Sequence, residues 1–264
     1  MNFQTLQLQR AAGVARLWMN RPEVHNAFDE ALIDELAAAF DALGADSAVR
    51  VVILGGRGRS FSAGADLNWM QRAAQAGEEE NFADAARLAR MLRSIAECPK
   101  PTIARVHGAA LGGGMGLASA CDICIAAEEA VFATSEVRFG IIPAAISPYV
   151  IRAIGERQAG RYFQTAERIG AARALQLGLA HDVVAAEALD AKVDELVGAL
   201  RAGGPQAQAA AKQLVAAVGT RAVDDAMVDD TARRIARLRA TAEAREGLQA
   251  FLAKRPAAWV AGCD

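Results

Sequence analysis

Short apolar segments alternate with longer segments of helical spacing over the first 145 residues of the chain. Residues 3–9 and 13–19 alternate apolar and polar positions around a turn at Gly13, a pattern that predicts a β-hairpin. Short, mainly apolar runs between turn residues are typical of buried strands, and they occur at 50–56, 102–106, 122–127 and 130–135. The first part of the chain is therefore predicted to contain several short strands.

Apolar residues three or four positions apart mark the helices between and after these strands. Residues 30–43 show this spacing, and Asp29 is placed to cap the helix that they predict. Residues 80–97 show it again before two prolines. From about residue 146 onward the spacing is almost entirely helical, with one clear break at 203–205. We therefore predict an α/β fold with a helical C-terminal part.

Composition narrows the classes of partner. The chain has 264 residues, 53% of them hydrophobic, which suits one large globular domain or a domain with an appendage. The net charge of −2 disfavours nucleic acid and membrane surfaces, and the basic stretch 232–240 has the spacing of an amphipathic helix. A polar N-terminus and the lack of an apolar run long enough to span a bilayer predict a cytoplasmic protein. Of the four cysteines, Cys98, Cys121, Cys124 and Cys263, only Cys121 and Cys124 are close in sequence and no second pair follows, so we predict four reduced core residues and no metal site.

Two segments share one design, in which a buried strand is followed by small residues and then a helix. Ala63, Gly64 and Ala65 follow the first such strand, and Gly112, Gly113 and Gly114 follow the second. Small residues expose backbone N–H groups, and two such turns facing each other are able to stabilise a developing oxyanion. The alternative is that the glycines only allow close packing of helix on strand. The glycine run of the second segment lacks the lysine of a P-loop and the glycine spacing of a dinucleotide-binding turn.

Three motifs then carry a resemblance to a known family. They are MNRPEVHNA at 19–27, FSAGADL at 61–67 and the long segment HGAALGGGMGLASACDICIAAEEAVFATSEVRFGIIP at 107–143. Together they resemble the enoyl-CoA hydratase/isomerase (crotonase) family over nearly the whole chain. The resemblance implies a ββα spiral core with the acyl-CoA site at 1–200 and a helical trimerisation region at 201–264. It also implies an acyl-CoA thioester as substrate.

The resemblance implies roles for residues at both turns. The N–H groups of Ala65 and Gly113 would hold the thioester oxygen, where an enolate concentrates its charge. The residues that the resemblance places against CoA are Val24, Ala27, Ala63, Gly64, Asp66, Leu67 and Gly112, with Phe251 and Lys254 reaching the CoA of a neighbouring subunit. Asp66 has an alternative interpretation as the N-cap of the next helix.

One position departs from the family pattern. Hydratases of this family carry two glutamates, and two carboxylates suit hydration because one activates water while the other orients it or supplies a proton. The second glutamate matches Glu136, but the first position is Gly116. A single glutamate is consistent with Δ3,Δ2-enoyl-CoA isomerases, in which it carries a proton from Cα to Cγ. It is also consistent with hydration in which Glu136 activates the water and another group assists.

The sequence around these motifs most resembles that of bacterial 3-methylglutaconyl-CoA and isohexenylglutaconyl-CoA hydratases, enzymes of leucine and acyclic-terpene breakdown. Such a substrate carries a distal carboxylate that needs a basic or hydrogen-bonding partner. The candidate partners are Asn68, Trp69, Arg138, Ser147 and Tyr149. We expect Gly116 to leave room for branched bulk at the substrate Cβ. For Arg138 the alternative is an ion pair with a surface acid.

The sequence therefore predicts an acyl-CoA hydratase that uses one glutamate and two backbone N–H groups. Coenzyme A is part of the substrate, and no metal or other cofactor is expected. The resemblance implies a homotrimer or a dimer of trimers. The alternatives are an enoyl-CoA isomerase and a non-catalytic homologue that binds acyl-CoA or RNA.

Overall fold

The computed structural model describes residues 3–219 and 221–261. Within these ranges the strands are β1 (Leu6–Ala11), β2 (Val14–Met19), β3 (Val51–Gly56), β4 (Thr102–Val106), β5 (Ala109–Leu111), β6 (Ile123–Ala127), β7 (Val131–Ala133), β8 (Ile169–Gly170) and β9 (Asp182–Val184). The α-helices are α1 (Glu30–Ala45), α2 (Leu67–Ala73), α3 (Glu78–Ala96), α4 (Gly113–Ala120), α5 (Ser147–Ile154), α6 (Glu156–Thr165), α7 (Ala171–Leu177), α8 (Leu189–Ala202), α9 (Pro205–Val218), α10 (Asp225–Arg239), α11 (Ala242–Leu252) and α12 (Ala258–Ala261). Short 3-10 helices lie at Pro22–Val24, Glu136–Phe139 and Ala186–Ala188.

The larger sheet has six strands in the order β1-β2-β3-β4-β6-β9. Strands β1 and β2 form the predicted antiparallel hairpin, and Ala12 and Gly13 turn the chain with positive φ angles of 48° and 76°. All later neighbours in this sheet are parallel. Parallel neighbours need crossover connections, and the helices between the strands supply them, as the alternating pattern predicted.

Both faces of this sheet are covered. Along β3, Val52 and Leu54 join the main core, while Val51 and Ile53 join a second apolar cluster on the opposite face. This alternation is the period of two that a strand imposes. Helix α8 covers the second face with an apolar stripe of Leu189, Val193 and Val197. Burial on both faces explains why the strand reads as a continuous apolar run.

A second, three-stranded sheet in the order β5-β7-β8 was not expected. Strand β5 begins just after β4 because Gly108 turns the chain with a φ angle of +58°. A Cβ atom there would lie 2.2 Å from the carbonyl oxygen of Arg59, so only glycine fits. The predicted glycine turn therefore follows β5 rather than β4. Only two residues separate the end of β7 in this smaller sheet from Glu136, the candidate catalytic glutamate.

The C-terminal part is mostly helical, as predicted, although β9 returns to the edge of the larger sheet. The predicted break is confirmed, since α8 ends at Ala202 and α9 begins at Pro205. The stretch 232–240 lies largely in α10, also as predicted. The division into a core at 1–200 and a trimerisation region at 201–264 stays a prediction. In the described ranges, every helix is too short or too polar to cross a membrane.

Three cysteines are buried free thiols, namely Cys98, Cys121 and Cys124. Burial raises the pKa of each, that of Cys124 to about 12. These residues are core side chains, as predicted, and their thiols stay protonated near neutral pH. Cys263 lies outside the described residues.

Candidate active site

The first of the two predicted turns, residues 62–66, is held in place by the backbone of Phe28. The Phe28 N–H donates to the carbonyl of Gly64 at 2.6 Å, and the Asp66 N–H donates to the carbonyl of Phe28 at 2.8 Å. This is a parallel bridge between Phe28 and Ala65. In that pattern the flanking residues make the hydrogen bonds, so the N–H of Ala65 points to the opposite side. The first turn therefore presents this amide away from its support.

The second turn, residues 111–114, presents an amide through the start of a helix. Gly112 adopts a φ angle of +49°, and its N–H donates to the Ala133 carbonyl at 2.8 Å. Gly113 is the first residue of α4, where the helix offers its N–H groups no acceptor. A Cβ atom on Gly113 would lie 2.3 Å from Cε2 of Phe28. The tight-packing interpretation of this glycine is therefore correct, and it is compatible with an exposed amide.

The two turns contact each other directly. A Cβ atom on Gly64 would lie 2.9 Å from the carbonyl oxygen of Leu111 and 3.8 Å from Cα of Gly112. Ser62 bridges the turns, because its N–H donates to the Ala109 carbonyl and its own carbonyl accepts from the Leu111 N–H, both at 2.9 Å. The structure thus brings together the two segments that the sequence pattern singled out.

Glu136 lies against the second turn. It begins the short 3-10 helix that follows β7. Its Oε1 atom is 3.3 Å from the position that a Cβ atom on Gly112 would occupy. Its Oε2 atom is buried and has no hydrogen-bond partner in the described part of the chain. Burial raises the pKa of this carboxyl, so it binds a proton more readily than an exposed glutamate.

The space beside Gly116 is already occupied. A Cβ atom there would lie 2.3 Å from Cγ2 and 2.8 Å from Cβ of Ile146, with Cδ2 of Leu92 at 3.7 Å. The expectation that Gly116 leaves room for a branched substrate is therefore wrong. A buried isoleucine fills the place of the absent glutamate.

Sequence reasoning missed the arginine that stabilises the first turn. The Nη2 atom of Arg21 lies 2.9 Å from Oδ2 of Asp29 and 3.1 Å from Oδ2 of Asp66. Both aspartates are N-caps: Asp29 accepts from the Leu32 N–H at the start of α1, and Asp66 accepts from the Asn68 N–H at the start of α2. The N-cap interpretations are thus confirmed. The available signal was Arg21 itself, within the quoted MNRPEVHNA motif.

Most candidates for a distal carboxylate partner are engaged elsewhere. Arg138 donates to the carbonyl of Ala166 at 3.0 Å and forms no ion pair with an acid of the described residues, which corrects the surface-acid interpretation. Its contact with a substrate carboxylate stays a prediction. Ser147 donates through Oγ to the carbonyl of Ala144 at 2.8 Å. Trp69 donates through Nε1 to Oδ2 of Asp84 at 3.0 Å and so ties α2 to α3.

The remaining two candidates differ in exposure. Asn68 is exposed on α2, whereas Tyr149 is half-buried against the main core. Burial raises the pKa of the Tyr149 hydroxyl. Among the described residues, neither the Asn68 amide nor the Tyr149 hydroxyl forms a hydrogen bond, unlike the side chains of Trp69, Arg138 and Ser147.

The residues predicted to contact CoA lie in two places. Near the first turn, Ala27 is buried, Val24 is half-buried, and Ala63 donates its N–H to the His25 carbonyl at 2.9 Å. Leu67 is 75% exposed at the start of α2. The second place is the end of α11, where Phe251 and Lys254 are both exposed, Phe251 by 80%. Their predicted contact with a neighbouring subunit stays a prediction.

Comparison with known proteins agrees with this geometry. Residues 9–262 match the family model described as enoyl-CoA hydratase/isomerase. The crystal structure of an enoyl-CoA hydratase from Shewanella pealeana superposes with a TM-score of 0.95 at 43% identity, covering 97% of this chain and 96% of that one. This likeness establishes the crotonase fold that the sequence predicted.

Two further relatives represent two reactions. A crotonyl-CoA hydratase from Syntrophomonas wolfei is 33% identical, covering 98% of this chain and 99% of that protein. A trans-2-decenoyl-[acyl-carrier-protein] isomerase from Streptococcus mutans is 31% identical, covering 81% of this chain and 82% of that protein. The chain therefore belongs to the enoyl-CoA hydratase/isomerase family, a family of enzymes that act on acyl-CoA substrates.

Proposed function

We propose that this enzyme adds water to the double bond of an α,β-unsaturated acyl-CoA, with Glu136 as its acid–base group. The observation that carries the proposal is the buried, unpartnered carboxylate oxygen of Glu136 beside the turn that presents the Gly113 amide. A buried acid without a partner is costly to stability and is typical of a functional group. Its raised pKa suits a group that takes up and returns a proton.

Hydration requires only the Glu136 carboxylate, one water molecule and the two backbone N–H groups. Glu136 accepts one proton from water while the water oxygen bonds to Cβ of the substrate. The electron pair of the double bond moves toward Cα and the thioester, and negative charge develops on the thioester oxygen. The N–H groups of Ala65 and Gly113 stabilise this charge, since donors fixed in advance need no reorganisation. Glu136 then returns the proton to Cα, which gives the 3-hydroxyacyl-CoA without any further cofactor.

For the acyl group we propose 3-methylglutaconyl-CoA or a related branched glutaconyl-CoA. This choice rests on the resemblance of the wider sequence to hydratases of those substrates. We propose Asn68 and Tyr149 as the partners of a distal carboxylate, since the side chains of Arg138, Ser147 and Trp69 already donate to other groups. The branched bulk must extend away from Gly116, where Ile146 closes the site.

Double-bond isomerisation is the second candidate, and one specific observation favours it. Glu136 is without a second carboxylate at Gly116, and moving a proton from Cα to Cγ needs only one such group. The Streptococcus mutans relative is named as an isomerase of an acyl-carrier-protein substrate. The same two amides would stabilise the dienolate formed in that reaction.

A substrate panel on the purified enzyme tests these proposals. Loss of the conjugated enoyl-thioester absorbance with crotonyl-CoA or 3-methylglutaconyl-CoA, with formation of the 3-hydroxyacyl product, demonstrates hydration. A gain of that absorbance from a 3-enoyl-CoA demonstrates isomerisation. If neither occurs, tight CoA-ester binding or a steeply salt-dependent RNA affinity identifies a non-catalytic binding protein.

We also propose that the enzyme associates through its C-terminal helices into a homotrimer or a dimer of trimers. Large apolar side chains are exposed along α9, α10 and α11, namely Leu214, Val215, Val228, Ile235, Leu248, Phe251 and Leu252. Such a concentration of exposed apolar residues is typical of an interface. Mass measurement in solution tests the proposal, and a monomer at micromolar concentration would contradict it.

A further inference from the structure

We propose that Ile146 is a specificity-determining residue of this enzyme, because it closes the side of the acyl site next to Gly116. The inference rests on the proposed function, in that it assumes an acyl group is bound beside Glu136. It adds the residue that decides where an acyl group is able to carry bulk. It also explains why position 116 carries no side chain.

The fit between Ile146 and Gly116 is close. Ile146 is 3% exposed and belongs to the main core. Its Cγ2 atom lies 2.3 Å from the place of a Cβ atom at position 116, which is closer than two non-bonded carbon atoms approach in a folded protein. Even an alanine at 116 therefore requires Ile146 to move. The two positions are coupled, and the isoleucine requires the glycine.

This pair lies one helical turn from the proposed chemistry. The Gly116 N–H donates to the carbonyl of Gly112 at 3.1 Å, and Gly112 is the residue against which Glu136 lies. Glu136 and Ile146 begin and end one connecting segment, 136–146, and both ends contact the region around α4. The Glu136 carboxylate thus lies against Gly112, the N-cap of α4, and Ile146 packs against Gly116, one turn further along the same helix.

Two consequences follow from this placement. The wall beside Gly116 is apolar and filled, by Ile146 with Leu92 behind it, so an acyl branch pointing there would collide with packed side chains. A carboxylate is also unable to stand at position 116 while Ile146 is present. Ile146 therefore keeps Glu136 as the sole carboxylate of the described residues on this face of α4.

The first experiment compares Ile146→Ala with the matched control Ile154→Ala. Ile154 is a buried core isoleucine of α5 that is 5% exposed, and the atoms nearest to a Cβ at position 116 belong to Ile146 and Leu92 instead. For Ile146→Ala we expect kcat/KM for enoyl-CoA esters with a branched Cβ or Cγ to rise about tenfold relative to crotonyl-CoA, the usual effect of one or two methylene groups in a pocket. Ile154→Ala should leave this ratio unchanged. Equal ratios in the two variants would overturn the proposal.

A binding measurement separates failure of this inference from failure of the proposed function. Saturated analogues, butyryl-CoA and 3-methylbutyryl-CoA, do not react, and their affinities are measurable by calorimetry whether or not the enzyme hydrates anything. Ile146→Ala should shift the affinity ratio toward the branched ester, and an unchanged ratio would contradict the inference even if hydration is observed. If Ile146→Ala does not fold, Ile146→Val is measured in its place, with a smaller shift expected.

A second experiment measures the coupling itself. Gly116→Ala should lower Tm because its new Cβ collides with Ile146. In the double variant Gly116→Ala with Ile146→Ala, the loss in Tm should be smaller than the sum of the two single losses, since the alanine at 116 enters the space vacated by the isoleucine. Additive losses would show that the two positions are independent and would overturn the proposal.

Discussion

The two turns proposed to bind the thioester oxygen are built in different ways. The first turn presents its amide at Ala65 through a backbone bridge to Phe28, and a charged cluster around Arg21 stabilises its end. The second turn presents its amide at Gly113 through the start of α4, and it depends on the absence of side chains. Hydrogen bonds and ion pairs hold the first turn in place, whereas the second turn is possible only because its glycines have no side chains that would collide with neighbouring atoms.

Phe28 is the element that the two turns share. Its backbone bonds to both sides of Ala65, while its ring lies where a side chain on Gly113 would be. A single residue therefore fixes the spacing of the two amides, which oxyanion stabilisation requires to be set in advance. The difference between the turns also shows that equivalent roles do not imply equivalent tolerance to mutation.

The largest expected effect concerns Glu136, the unpaired carboxylate that lies against the second turn. Glu136→Gln keeps the shape of the side chain but removes its ability to exchange a proton. We expect kcat to fall by about 10³-fold or more, within the range for acid–base groups. Binding of an unreactive acyl-CoA should be unchanged, because both amides remain. Normal turnover in this variant would refute the proposed mechanism.

The next effect tests the steric difference directly. Gly113→Ala places a Cβ atom 2.3 Å from the Phe28 ring, which displaces the amide, so we expect kcat/KM to fall by about 10²-fold, as for loss of one oxyanion donor. Ala65→Gly keeps its amide and its bridge and should change kcat/KM by only a few fold. Steady-state kinetics of both variants decide the comparison, and equal losses would mean that the turns are alike after all.

A smaller effect is expected at the charged cluster. Arg21→Ala leaves Asp66 without its ion pair at the end of the first turn, and we expect about a tenfold fall in kcat through a slight shift of the Ala65 amide. Arg10→Ala is the control, because Arg10 pairs with Asp46 at the exposed surface, where an ion pair contributes little. A loss in kcat that is the same for both variants would contradict a positioning role for Arg21.

The strands and helices were largely predictable because their signals are local. The hairpin turn at Gly13, the Asp29 cap and the break at Gly203 each depend on a few adjacent residues. In the smaller sheet only β7 was predictable, as part of the apolar run 130–135, because β5 and β8 have three and two residues and show too little alternation to be distinguished from loops. The sharp turn at Gly108 depends on a contact with Arg59, which is distant in sequence.

The site shows the same division. The two turns and Glu136 were found from motifs, since each has a recognisable sequence of its own. The occupant of the space beside Gly116 was not found, because Ile146 lies 30 positions further along the chain and its sequence neighbourhood gives no sign of the contact. For the same reason, the acceptor of Arg138 was assigned to an acid rather than to the Ala166 carbonyl. Absence of a side chain in sequence does not imply empty space in a packed interior.

The last and smallest effect concerns the acids of the two turns, whose removal should change stability in opposite directions. Asp66 is buried but bonded to Arg21 and to the Asn68 N–H, so Asp66→Asn should lower the free energy of unfolding by about 1 kcal/mol.

Glu136 is unpaired and its pKa is raised, so the folded state binds its proton more tightly than the unfolded state does. Glu136→Gln should therefore raise Tm near neutral pH, where burial of the charge destabilises the folded enzyme. This gain should begin to decline as the pH falls to the raised pKa, and it should be lost below the ordinary pKa of a glutamate, where the carboxyl is neutral in both the folded and the unfolded state. Glu129→Gln, in an exposed turn, should change Tm at neither pH. A loss of stability in Glu136→Gln at neutral pH would mean that the Glu136 carboxylate has a stabilising partner, as the Asp66 carboxylate does.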